Sequence, residues 1–230
     1  GGLFKFNLCK LMLCLLFGEF ESAQKHAVEV RCYLVASAGG VDEPAFYFYD
    51  SLVVFAALNS QSEQTSELLE RVQENQIQLQ QYWAKYAPMN HQHKVDLVEA
   101  EKCRILGKKA EAIELYDKAI TGAKENEYIQ EEALANELAA KFYLDWGKEK
   151  VASGYMQEAY YCYSKWGAKA KTDDLEKRYP QLLTAILQAQ QNNLGWNENF
   201  SSCLNKYSIS HQTIQTNRNT ISADKALDFV

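Results

Sequence analysis

A chain of 230 residues with three prolines and eleven glycines can bury a sizeable core, and it has too few chain breakers for a disordered segment or a many-turned β protein. The formal net charge is −6 and no basic stripe accumulates, which argues against nucleic acid and anionic membrane surfaces as partners. Six scattered cysteines (Cys9, Cys14, Cys32, Cys103, Cys162, Cys203) show no CxxC spacing; four fall in apolar helical patterns, so they read as reduced, buried thiols of a cytoplasmic protein.

The chain begins with Gly, already inside an apolar helical pattern, and reads as an excised piece of a longer one. The run LCKLMLCLLF is interrupted by Lys10 and followed by charged GEFESAQKH with no small-residue cleavage site, so a buried helix is expected there and not a signal peptide. It is also too short for a membrane span. Leu3–Phe17 and Phe20–Ser37 read as a helical hairpin turning at Gly18, and Gly39, Gly40 and Pro44 then break the chain. AFYFYDSLVVFAAL is apolar on nearly every side. Its residue preferences also suit a buried strand, but fourteen residues among helical neighbours favour a helix.

Asn59–Gln64 reads as a polar turn. Ser66, Leu69, Val72, Leu79 and Trp83 then mark an amphipathic helix ending before Pro88, with Gln73, Gln76, Gln78, Gln80 and Gln81 as its solvated outer face. From Asn90 to Trp166 one pattern is written twice. Ala100, Cys103, Gly107, Ala112, Tyr116 and Ala119 align with Ala140, Tyr143, Gly147, Ala152, Met156 and Ala159, 40 residues later. A repeat of this length is the signature of stacked helix pairs, each too small to bury its own apolar face. Leu134, Leu138, Phe142 and Trp146 form one apolar stripe, which places Phe142 and Trp146 in the core between the copies. Gly107 and Gly147 are expected at positive φ in the hairpin turns. Beyond Gly167 a further helix carries Asp173, Asp174 and Glu176 early, is bent or restarted at Tyr179-Pro180, and fades near Gln191. From Asn192 the text turns polar, so residues 1–191 are expected to form the helical repeat domain and 192–230 a linker or tail.

No residue carries recognisable chemistry, and no catalytic, cofactor-binding or metal-ligating residue is expected. His91 and His93 are two apart, so on a helix they diverge, and no Cys or carboxylate stands at ligand spacing. His211 falls in the polar tail. Glu131-Glu132 and Asp173-Asp174 are adjacent pairs whose carboxylates diverge, and they read as solvated faces. Of Tyr160 and Tyr161 only one can face inward. No phosphate-cradling glycine loop, G-x-S-x-G or kinase signature is present.

The small–aromatic–Gly–Ala pattern of the hairpins resembles tetratricopeptide-type repeats. ENEYIQEEALANELAAKFYL and CYSKWGAKAKTDDLEKRYPQLL, within a resemblance running from about Leu3 to Leu183, look like one segment of large multidomain signalling kinases of cyanobacteria and related bacteria. The resemblance implies an upstream serine/threonine kinase and AAA-type ATPase, and a downstream GAF domain and histidine kinase; TISADKALDF faintly resembles the amphipathic stretch that leads into the GAF domain. None of their catalytic motifs falls in this stretch. The expectation is an all-α, right-handed solenoid of about nine helices in antiparallel hairpins. Its role would be non-catalytic interaction or signal relay, with neighbouring domains or another protein as partner. The other reading is a stand-alone adaptor taking a peptide in its concave groove.

Overall fold

The computed structural model describes residues 2–37, 39–58 and 65–189; the expected tail from 192, with Cys203 and His211, lies outside them. Among the described residues every regular element is helical: α1 (Gly2–Leu16), α2 (Phe20–Cys32), α3 (Glu43–Ala57), α4 (Thr65–Gln78), α5 (Pro88–Ile105), α6 (Lys109–Glu125), α7 (Ile129–Asp145), α8 (Glu149–Trp166) and α9 (Lys169–Arg178). A 3-10 turn (Leu34–Ser37) follows α2, and a π-helical stretch (Leu79–Ala84) continues α4. Residues up to Leu183 form one compact unit; those from Thr184 belong to a second, of which 184–189 are helical.

The hairpins α1–α2, α5–α6 and α7–α8 pack along their lengths, and α6 packs against α7 to join the last two. Small residues permit the approach: Ala112, Ala119, Ala140, Ala152 and Ala159 are at most 1% exposed. Tyr116 and Met156 fill the space between the paired helices at 1% and 0% exposure. The AFYFYDSLVVFAAL run is helix α3, with Pro44 in its first turn, where a missing N–H costs nothing. Phe46, Phe48, Leu52, Val53 and Phe55 are buried around its circumference, which explains why it has no polar face.

The hairpins close by one device. At the α7–α8 turn Gly147 has φ 74°, its N–H donates to Leu144 O (2.9 Å), and Lys148 N–H donates to Tyr143 O (2.8 Å). The α5–α6 turn repeats this at Gly107, φ 73°. The turn between hairpins uses the same geometry without glycine. Glu127 sits at φ 63°, and Tyr128 N–H donates to Ala123 O (2.9 Å). A residue with a Cβ is strained in that region, so the α6–α7 turn carries no sequence signal although it is as sharp as the others.

Several expectations fail here. Phe142 is 4% exposed as expected, but Trp146 is 37% exposed. Trp146 caps α7, where the stripe runs out, and its ring lies under Lys109 Nζ (4.5 Å from the centroid) and beside Lys148 Nζ (5.6 Å). Cys9 and Cys32 are exposed: α1 buries the Phe4–Leu8–Leu11–Leu15 stripe, and Cys9 lies on its opposite face. The second helix stops at Cys32 instead of Ser37. Finally, Gln76 does not belong to a solvated face; it is 8% exposed and donates to Val95 O (3.1 Å) on α5.

Candidate functional site

A charge on the apolar stripe of a helix is carried into the interior with the stripe, and there it must find partners. Glu137 follows Leu134 by three residues and precedes Lys141 by four; Glu101 follows Leu97 by four. Their helices, α5 and α7, together with α3, enclose a cavity of about 220 Å³ lined by both carboxylates, Arg104 and Lys141. Leu52 of α3 and Leu134 of α7 supply apolar wall, and Leu15, Leu16 and Phe20 of the α1–α2 turn cover one side.

Glu137 is 1% exposed. Its Oε1 accepts from Lys141 Nζ (2.7 Å) and Lys171 Nζ (3.0 Å), and its Oε2 accepts from the Tyr163 hydroxyl (2.8 Å). Burial pushes its pKa up, but Lys141 and Lys171 outweigh burial and hold the carboxyl at about 2. Glu101 is built alike. Its Oε2 accepts from Arg104 (3.0 and 2.7 Å), and its Oε1 accepts from the Tyr116 hydroxyl. Burial and the facing carboxylates push both tyrosine hydroxyls well above their ordinary range. Each carboxylate thus has its lone pairs committed to cations and a phenol. Such a site can hold shape and charge, but it leaves neither carboxylate free to act as a base.

Lys171 does more than neutralise Glu137. From α9 it also donates to Leu16 O, and Arg178 donates to Phe17 O. These carbonyls end α1, where backbone acceptors lack helical partners and the helix dipole favours a cation. One side chain therefore joins α9, α7 and the α1–α2 turn. Sequence reasoning missed this clasp, because it links residues 155 positions apart.

A second charge, expected on a solvated face, is buried. Glu131 is 6% exposed and pairs with Lys94 (3.2 Å), whose ammonium lies over the Tyr128 ring (4.3 Å). Asp173 and Asp174 are half-buried; Asp174 pairs with Lys171 (3.4 Å) and Arg178 (2.8 Å), and Asp173 pairs with Lys169 (2.8 Å). A third centre, unmarked in the sequence, is Asp50 of α3, which is fully buried between Arg31 of α2 (2.6 Å) and Arg71 of α4, with Asn75 donating to it (2.8 Å). As expected, the tyrosine pair divides, with Tyr160 buried and Tyr161 exposed.

His91 and His93 pack against aromatic rings. His93 is 3% exposed, lies 4.8 Å from the Tyr128 ring, and has its Nε2 3.0 Å from Lys94 Nζ; His91 meets the Trp83 ring edge-on at 5.7 Å. Among the described residues no three metal-ligating side chains gather. Burial, reinforced by Lys94, lowers the pKa of His91 to about 4 and of His93 to about 3. Both are therefore neutral in the fold and take up protons on unfolding below pH 6.5. Stability is expected to fall between pH 6.5 and 4.5, by up to about 1.4 kcal/mol per pH unit for each histidine. Glu131 and Asp96, whose pKa values burial raises, act in the opposite sense. Urea unfolding at pH 7 and pH 5 checks this: His93→Gln should flatten the difference, and an unchanged pH slope would contradict the assignment.

Comparison with known proteins gives a partial match. A stretch of 61 residues is 44% identical to "Hybrid signal transduction histidine kinase G" of Dictyostelium discoideum, covering 26% of this chain and 2% of that protein. No family model and no solved structure matches the chain. Over that stretch the chain is similar to a small part of a signalling protein.

Proposed function

We propose that this chain is a non-catalytic interaction and signal-relay region of a larger sensor serine/threonine and histidine kinase, its hairpins stacked as a tetratricopeptide-like, right-handed α-solenoid in the cytoplasm. The observation that carries the reading is the Lys171 clasp. A relay must move as a body, and one buried ammonium that contacts α1, α7 and α9 couples distant parts of the chain directly. The partial match to a histidine kinase supports the signalling context. No helix among the described residues is long and apolar enough to cross a membrane. The adaptor reading would take the cavity on α3, α5 and α7 as its groove, but the α1–α2 turn closes one side of it, which favours the relay.

Calorimetric titration with MgATP is expected to give no saturable heat at micromolar concentrations, because the sequence has no phosphate-cradling loop. Saturable binding would overturn the non-catalytic reading.

A further inference from the structure

The glutamine face of α4 is not a passive surface. Gln73, Gln76 and Ile77 of α4 and Gln80 of its π-helical continuation stand at i, i+3, i+4 and i+7. Gln92, Val95, Asp96 and Glu99 repeat that spacing on α5. The two faces line an open groove of about 410 Å³, to which Leu115 of α6 adds an apolar edge.

Three observations make this a built site. Gln76, nine-tenths buried, spends its Nε2 on Val95 O (3.1 Å), and its Oε1 finds no donor among the described residues. Because a carbonyl only accepts, that bond also fixes which end of the amide is the orphan. An unmet buried acceptor is costly, and such groups mark places where a partner is missing. Secondly, α4 passes into π-helix alongside the groove, with Lys85 N–H donating to Gln80 O five residues back (3.0 Å). Single π turns recur at functional sites, where they re-aim side chains. Thirdly, the groove already displays the chemistry it accepts: the Lys102 ammonium bridges Glu99 (3.1 Å) and Gln73 (3.5 Å) across it. Among the described residues Asp96, half-buried, has only the Gln92 amide as a near partner (2.9 Å), with Lys118 acting from further off.

We propose that this groove binds an extended peptide of a partner protein that carries a lysine or arginine next to an apolar residue. The cation pairs with Asp96, the apolar side chain rests on Ile77, Val95 and Leu115, and backbone N–H groups meet the glutamine amides. Among the described residues Asp96 lacks a cation at contact distance and the Gln76 Oε1 lacks a donor, so the groove favours a basic peptide over an acidic one. This site lies apart from the Glu101–Glu137 cavity and stands or falls independently of the relay reading.

The test is an NMR titration of the ¹⁵N-labelled chain with Ac-Leu-Lys-Leu-Lys-Leu-NH₂, and with Ac-Leu-Glu-Leu-Glu-Leu-NH₂ as charge control. The basic peptide should shift the side-chain amides of Gln76, Gln80 and Gln92 saturably, leaving α8 unmoved. The acidic peptide should bind at least tenfold more weakly, and Asp96→Asn should weaken the basic peptide tenfold. Gln80→Ala, an exposed position on the same face, should weaken binding without touching the core. The proposal is overturned if the basic peptide does not saturate by millimolar concentration, if both peptides bind alike, if the shifts map elsewhere, or if both variants bind as the parent chain does.

Discussion

Glu137→Ala should lower the unfolding free energy by about 3–5 kcal/mol, the usual cost of breaking a buried ion pair from one side. The remaining Lys171 is 3% exposed at its side chain and cannot recover hydration where it sits. The Tyr163 hydroxyl, on a fully buried ring, loses its acceptor as well. Most of this loss is stranded charge, so removing the charge too should recover much of it: Glu137→Leu combined with Lys171→Met should be far less destabilised than Glu137→Ala. Urea midpoints of the three chains decide the matter. Equal losses in the single and double variants would show that packing of α7, and not the ion pair, dominates.

Asp50→Ala is expected to cost nearly as much, about 3 kcal/mol, and for a related reason. Asp50 is fully buried, but its partners Arg31 and Arg71 retain 35% and 25% of their side-chain exposure. They can therefore rehydrate partly when the carboxylate goes, which places the cost at the lower end of the range. Asp50→Asn keeps an acceptor for Arg31 and Arg71 and should recover part of the loss. A shift of less than 1 kcal/mol for Asp50→Ala in denaturant titration would contradict the assignment of Asp50 as the joint of α2, α3 and α4.

The helices and most turns were legible because they rest on local rules. Apolar residues recur at helical spacing, and Gly107 and Gly147 meet a need for positive φ that other residues meet badly. Glu127 meets the same need without announcing it. The charged interior was only half legible. Glu137 stands on the Leu134 stripe, so its burial could have been read, whereas Lys171 is paired with it only through the fold. Glu131 was misread because neighbouring carboxylates on a helix usually face water, and nothing local shows that Lys94 waits opposite. Gln76 was misread for the converse reason. Its polar neighbours Gln73, Gln80 and Gln81 are exposed, and only the position of α5 makes it interior. Trp146 failed at a stripe end, where helical periodicity no longer guarantees cover.

The most direct test of the relay reading is hydrogen exchange, followed by mass spectrometry, of the intact chain and of Lys171→Met. The α1–α2 turn and α9 should be protected together with α5–α8, and the substitution should lower protection in the last turn of α1 and in α9 at once. If Lys171→Met loosens α9 alone and leaves α1 exchanging as before, the clasp does not couple these elements and the chain is not a relay.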